Sequence, residues 1–134
     1  MHPGYIINDI IWIMKNVKVL LNDSEFVESL RRIFEPLRIE ISEMTLDHRV
    51  ADSDFFDTQM IILDPFLGEP GVATELIDTL KSRSATSFIP ILLCSHEDND
   101  MEIINGLNAG ANDFILLPAS ERTLLRRINS LLNR

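Results

Sequence analysis

Short apolar segments alternate with amphipathic segments along most of this 134-residue chain, and this alternation constrains its fold more than any other feature. Most of the apolar segments are bounded by polar residues, as strands buried on both faces of a parallel sheet are. One segment alternates polar and apolar residues, as an edge strand does. We predict strands at Val17–Leu21, Arg38–Met44 (the edge strand), Gln59–Leu63, Ile89–Cys94 and Asn112–Leu117.

Between these segments, apolar residues recur at helical spacing. We predict helices at Glu25–Glu35, Asp47–Ser53 (short and weak), Val72–Ser82, Asn99–Asn108 and Ser120–Asn133. Ser24 is the expected N-cap of the first helix and Pro36 its end, and Gly110 is expected to end the fourth helix in a left-handed conformation. Strands that alternate with helices predict an α/β fold, a doubly wound five-stranded parallel sheet in three α/β/α layers.

Two of the predicted strands end in acidic residues. Val17–Leu21 is followed by Asn22-Asp23, and Gln59–Leu63 is followed by Asp64. The carboxyl ends of strands in an open α/β sheet form the ligand crevice. Two acids delivered there suggest a divalent cation, a phosphoryl group or both, although either acid could instead end its strand in a turn or cap a helix.

Composition excludes some functions. The net charge of −9 argues against non-specific nucleic-acid binding, which needs a basic surface. The single cysteine, Cys94, cannot form an internal disulfide, so a reducing cytoplasm is the expected location. No stretch is long enough to span a membrane, and the apolar stretch at 5–14 is broken by Asn8-Asp9.

The N-terminal stretch has two interpretations. Five of its apolar residues fall on one helical face, which suggests a short amphipathic helix: Ile6, Ile7, Ile10, Ile11 and Met14. Alternatively, the natural start is Met14 and the upstream residues are not native. We therefore assign residues 1–16 as an N-terminal extension and residues 17–134 as one domain.

From Val17 onward the chain resembles a response-regulator receiver domain of two-component signalling, which implies a flavodoxin-like (βα)5 fold, similar to CheY. Four pieces carry the resemblance, in the family's order and spacing: Val-Lys-Val-Leu-Leu-Asn-Asp-Ser-Glu at 17–25, Met-Ile-Ile-Leu-Asp at 60–64, Ile-Pro-Ile-Leu-Leu-Cys-Ser at 89–95 and Gly-Leu-Asn-Ala-Gly-Ala-Asn-Asp-Phe-Ile at 106–115. The style is close to receivers attached to diguanylate cyclases, although this sequence contains no cyclase domain.

The resemblance implies roles for individual residues. Asp64 is the phosphoacceptor, which takes a phosphoryl group from a histidine kinase or phosphotransfer protein, and no enzymatic turnover is expected beyond that self-catalysed step. Ser95 is the switch hydroxyl and Phe114 the aromatic switch residue. Mg²⁺ is the implied cofactor, held by Asp23, Asp64 and the Phe66 backbone carbonyl, with Asn22 acting through water.

The chain departs from the family at several of these positions. Leu117 stands before Pro118, where the family has the lysine that contacts the phosphate. Loss of one charge-assisted contact costs about 1.5–3 kcal/mol. Asn22 replaces the first acid of the usual pair, and Asp64 is followed by Pro65 in a loop about one residue shorter than usual. His96 follows Ser95 and is expected to lie at the surface, in the acidic loop of Glu97, Asp98 and Asp100. The alternative is that His96 narrows access to Asp64.

Two functions within the family remain open. One is a receiver phosphorylated on Asp64, impaired because Leu117 replaces lysine. The other is a degenerate receiver that acts as a phosphorylation-independent dimerisation or adaptor module. Enzymes of similar topology fit less well. An aspartyl phosphatase needs a second acid at the position of Phe66, and a flavodoxin-like electron carrier needs a phosphate-binding loop where the sequence is Asn-Asp-Ser-Glu at 22–25.

The expected partner surface is a homodimer face made by the fourth helix, fifth strand and fifth helix, drawing on Met101 to Asn108 and Glu121 to Arg134. Four arginines make the last helix basic: Arg122, Arg126, Arg127 and Arg134. They would pair with the acidic loop Glu97–Glu102 of a second copy. Alternatively, they form a solvated face whose basic C-terminal end complements the helix dipole.

Overall fold

The computed structural model describes residues 15–45, 50–98 and 100–133. Five strands form one parallel sheet in the order β2-β1-β3-β4-β5. The strands are β1 (Lys15–Leu20), β2 (Ile39–Glu43), β3 (Thr58–Leu63), β4 (Ile91–Ser95) and β5 (Asp113–Leu116). The predicted sheet is therefore confirmed, with β2 as the expected edge strand. The first strand begins two residues earlier than predicted, at Lys15.

Four α-helices cover the two faces of the sheet in the described part of the chain. They are α1 (Ser24–Phe34), α2 (Val72–Ser82), α3 (Asp100–Ala109) and α4 (Glu121–Leu132). The range of α2 is as predicted. The helix α1 ends at Phe34, and a 3₁₀ turn, Glu35–Leu37, holds Pro36. Gly110 follows α3 at φ +127°, and a Cβ there would lie 2.7 Å from Lys81 Cγ, so the position requires glycine.

The predicted helix at Asp47–Ser53 falls partly outside the described residues, because 46–49 are not among them. Within the described part, Val50 and Ala51 are not helical, and a 3₁₀ helix runs from Asp52 to Phe55. The predicted N-terminal helix at 5–14 lies wholly outside the described residues.

Alternating side chains of the strands build two apolar cores, one on each face of the sheet. In β3, for example, Met60 and Ile62 pack with α1 and α4, whereas Ile61 and Leu63 pack with α2. Cys94 lies in the first core as a buried free thiol, and burial raises its pKa well above the usual range. Among the residues described, no helix is long and apolar enough to cross a membrane. Because both faces of the central strands are covered, the polar strand ends at the carboxyl edge are the place for a site.

Candidate functional site

Asp64 lies at the carboxyl end of β3, in the middle of the sheet. Its backbone N–H donates to the Leu20 carbonyl at 3.1 Å, which fixes Asp64 beside the end of β1. Its side-chain Oδ1 accepts a 2.8 Å hydrogen bond from the Phe66 N–H, and its carbonyl accepts from the Leu67 N–H at 3.1 Å. The turn after β3 therefore holds one carboxylate oxygen in place and leaves Oδ2 outside these contacts.

The environment of Asp64 disfavours its charged form. The residue is half-buried, and desolvation raises the pKa of its carboxyl above the ordinary value. Hydrogen bonds from the Phe66 N–H and the Ser95 hydroxyl, and the nearby His96 imidazole, oppose that rise. A carboxylate in this position gains most from a cation or a hydrogen-bond donor that arrives with a ligand.

Asp23 has two partners, and one of them corrects our cap prediction. Its Oδ1 accepts from the Phe26 N–H at 3.0 Å, so Asp23, not the predicted Ser24, is the N-cap of α1. Its Oδ2 lies 2.9 Å from His96 Nε2. These two hydrogen bonds, the Phe26 N–H first, lower the pKa of the Asp23 carboxyl. Both carboxylate oxygens are therefore engaged within the chain.

His96 is exposed, as predicted, but it is not a simple residue of the acidic loop. Its side chain remains 56% exposed while Nε2 reaches from the end of β4 to Asp23 at the end of β1. Sequence reasoning missed this contact. The available signal was that Asp23 and His96 both lie in the segments that follow strands ending at the same edge of the sheet.

Ser95 and Phe114 lie on neighbouring strands and on the same sheet face. Ser95 is 3% exposed at the end of β4, and its Oγ accepts from the Glu97 N–H at 3.1 Å. Phe114 is half-buried against the core beneath α2, beside Leu93 in the β4–β5 register. The structure thus brings Asp64 and Ser95 together, and it places Phe114 one strand further along.

Leu117 is packed mainly into the core. It is 6% exposed and belongs to the core cluster with Leu124 and Ile128 of α4. It also lines a groove of about 410 Å³ whose walls include Asp23 and His96. The position that carries lysine in the receiver pattern therefore contributes packing here and no charge.

The carboxylates of the site are the candidate ligands for a divalent cation. Mg²⁺ is commonly held by one or two carboxylates and completed by water and phosphate oxygens. Asp64 Oδ2 fits that role, whereas Asp23 Oδ2 fits it only by exchanging His96 for the metal. Asn22 is exposed and uncharged, and the described residues contain no group of three or more His, Cys, Asp or Glu that could hold a metal. Asp64 and Asp23 are therefore the two carboxylates available to a cation, which would need water and phosphate oxygens for its remaining ligands.

No model of a protein family matches the chain. Curated relatives do. Over 99 residues, 73% of this chain, it is 32% identical to the phosphate regulon transcriptional regulatory protein PhoB of Rhizobium meliloti. Over 124 residues, 89% of this chain, it is 29% identical to the regulatory protein VanRB of Enterococcus faecalis. The chain spans 40% and 54% of the lengths of these two relatives.

Solved structures show the same fold. A two-component response regulator from Clostridium difficile aligns with a TM-score of 0.73 at 20% identity, over 90% of this chain and 97% of that one. The receiver domain of a sensor histidine kinase from Pseudomonas aeruginosa, with a magnesium ion coordinated in its active site cleft, aligns with a TM-score of 0.72 at 14% identity, over 90% and 98%.

The fold and the curated relatives agree. The chain is a receiver domain of the response-regulator family of two-component signalling. The likeness to receivers of diguanylate cyclases stays a prediction.

Proposed function

We propose that this receiver takes a phosphoryl group on Asp64 from a histidine kinase or a phosphotransfer protein, more slowly than a receiver with the full set of site residues. One observation carries the proposal. A half-buried carboxylate stands at the end of the central strand β3, with Oδ1 held by the Phe66 N–H and the Ser95 hydroxyl beside it. This is a positioned aspartyl nucleophile with a donor close to the place where charge develops.

In the proposed step, the Asp64 carboxylate forms a bond to phosphorus as the bond from phosphorus to the donor nitrogen breaks. The Phe66 N–H keeps the nucleophile oriented, and the Ser95 hydroxyl donates to a phosphoryl oxygen. Mg²⁺, held by Asp23, Asp64 and the Phe66 carbonyl with Asn22 through water, would neutralise the phosphoryl oxygens. Phe114 is the side chain expected to shift as Ser95 turns towards the phosphoryl group.

Two features of the site support the slower rate. Leu117 offers no cation, and loss of one charge-assisted contact of about 1.5–3 kcal/mol corresponds to roughly ten- to a hundredfold. Asp23 is bonded to His96 and must leave that partner to bind a metal. The same two features favour the second candidate, a phosphorylation-independent dimerisation or adaptor module.

For either function, the proposed dimer surface is the face formed by α3, β5 and α4. Four large apolar side chains are at least 38% exposed there: Met101, Ile104, Leu107 and Leu116. Leu116 and Ile115 are consecutive residues of β5, so their side chains lie on opposite faces of the sheet. Because Ile115 belongs to the core beneath α1 and α4, Leu116 lies on the other face, which α3 covers. Arg122 and Arg126 are exposed on α4, and Arg127 pairs with Asp113 at 2.8 Å within the chain. The last turn of α4 has no basic residue, and Arg134 lies outside the described residues, so the alternative of a solvated face with a basic C-terminal end stays open.

The test is phosphorylation by a small-molecule donor. The full chain is incubated with acetyl phosphate and Mg²⁺, and intact-mass and peptide-mapping spectra are compared with those of Asp64→Asn and of a control, Asp98→Asn, at an exposed acid. We expect a phosphoryl adduct in the wild type and in the control, absent from Asp64→Asn. A well-folded wild type that never acquires the adduct would replace this proposal by the adaptor function.

A further inference from the structure

Three large apolar side chains are exposed at the amino edge of the sheet, opposite the candidate site. Leu37 is 47% exposed, Phe56 is 68% exposed and Phe88 is 72% exposed. Each lies just before a strand: Leu37 before β2, Phe56 before β3 and Phe88 before β4. We call these three residues the amino-edge patch. Aromatic side chains this exposed are uncommon on a surface without a partner.

The strand register places the patch residues along one line. Ile39 pairs with Lys15 and Thr58 with Asn16, so the residues before β2 and β3 flank the start of β1. Arg83, at the start of the loop before β4, links this loop to the segment before β3. It contacts the Val50 carbonyl at 2.9 Å and Asp52 at 3.3 Å. The segment that holds Phe56 and the loop that holds Phe88 therefore meet at this edge.

The middle of that line is the point where the chain enters the sheet. The order β2-β1-β3-β4 puts the start of β1 between Leu37 and the two phenylalanines. The Lys15 N–H donates to the Arg38 carbonyl at 3.1 Å, so the residue that precedes Lys15 adjoins the Leu37 end of the patch. Whatever chain precedes Lys15 must emerge beside the patch.

The preceding sequence suits the patch in length and in chemistry. Residues 1–14 lie outside the described part of the chain. Residues 5–14 carry the five apolar residues with helical spacing noted above. A helix of that length would be about 15 Å long, and the three strand spacings from β2 to β4 amount to about 14 Å. A helix this short is marginal in water unless its apolar face is covered.

We propose that the N-terminal segment, residues 5–14, docks its apolar face on the amino-edge patch of its own chain. The segment then acts as a cover for the end of the sheet that lies away from Asp64. Its own chain is the favoured occupant because the connection to β1 starts at the patch, so no second molecule has to be recruited. This docking is independent of phosphoryl transfer.

Amide hydrogen exchange of residues 5–14, followed by peptide mass spectrometry, reports on the docking, because a docked helix protects its backbone N–H groups from exchange. The exchange is measured in the full chain, then in Phe56→Asp and Phe88→Asp. The control is Ile104→Asp, which changes an apolar residue that is 46% exposed on α3. We expect slow amide exchange of residues 5–14 in the wild type and in the control, and exchange close to the denatured rate in both patch variants.

Three results would overturn the proposal. The first is wild-type amide exchange of residues 5–14 that is as fast as in denaturant. The second is protection of residues 5–14 that neither patch variant removes, although circular dichroism shows both variants folded. The third is protection that disappears on dilution in step with dissociation in sedimentation velocity, because the occupant would then be the segment of a second copy.

Discussion

The contact between His96 and Asp23 leads to a prediction about metal affinity. Both side chains are more than a third exposed, at 56% and 37%, so the pair is worth about 0.2–1 kcal/mol. A metal that takes Asp23 Oδ2 must first displace His96. Replacement of His96 by Ala removes this competitor and leaves the Phe26 N–H on Oδ1. We therefore expect Mg²⁺ to bind up to about fivefold more tightly, since 1 kcal/mol is about a factor of five.

The measurement is a Mg²⁺ titration at neutral pH followed by amide NMR, on the wild type, His96→Ala and His96→Gln. The glutamine variant is the matched control, because its amide can keep a hydrogen bond to Asp23 and should give an intermediate affinity. Urea denaturation should show a loss of no more than about 1 kcal/mol in His96→Ala. If that variant binds Mg²⁺ as weakly as the wild type, or more weakly, His96 does not compete for the site.

Four further predictions concern other parts of the molecule. Burial raises the pKa of the Asp64 carboxyl, so the charged form of Asp64 destabilises the folded chain at neutral pH. Asp64→Asn should therefore raise Tm at neutral pH, and the gain should shrink as the pH falls through the folded pKa towards 3.8. A Tm difference that is independent of pH would contradict this. The pKa of Asp23 is lowered, so its contribution to stability is full above 3.8 and is lost as pH falls through the folded pKa. Urea denaturation of Asp23→Ala should show a loss of stability of about 0.5–2 kcal/mol at neutral pH, as for a missing N-cap. This loss should diminish in acid, and a loss that persists in acid would count against Asp23 as the N-cap. Leu117→Lys should bind beryllofluoride, a mimic of the aspartyl phosphate, roughly ten- to a hundredfold more tightly than the wild type. The lost apolar burial should cost up to about 3 kcal/mol of stability. Leu117→Met should leave the affinity unchanged, and equal affinities of the two folded variants would contradict the explanation by a missing cation. Charge reversal of both Arg122 and Arg126 should weaken any dimer seen in sedimentation velocity if these residues pair with the acidic loop of a second copy, whereas an unaffected dimer would exclude that pairing.

The sheet could be predicted from the sequence because its signals are local and strong. Runs such as Met60 to Leu63 are too short for a helix and too apolar for anything but a buried strand, and the range of α2 follows from its apolar spacing alone. The ends of the elements were less certain. Asp23 and Ser24 are both good N-caps, and the choice between them depends on which side chain the Phe26 N–H meets in the folded chain.

The candidate site was predictable only in outline. The order of the strands brings Asp23, Asp64 and Ser95 to one edge, and residue type and position were enough to expect this. The side-chain directions were not readable. Whether Leu117 faces the crevice or the core depends on strand register and on the packing of α4, and the reach of His96 to Asp23 spans 73 residues of sequence. These two features distinguish this receiver from the pattern that it resembles.

The central claim is that Asp64 works as an acceptor, and the most direct test is an amide NMR titration of the full chain with Mg²⁺ and then beryllofluoride. We expect saturable shifts centred on Asp64 and Ser95 that extend to Asp23 and Phe114. They should be absent from Asp64→Asn. A well-dispersed wild-type spectrum that does not change at millimolar Mg²⁺ and beryllofluoride would contradict the claim and would mean that the receiver fold serves protein contacts alone.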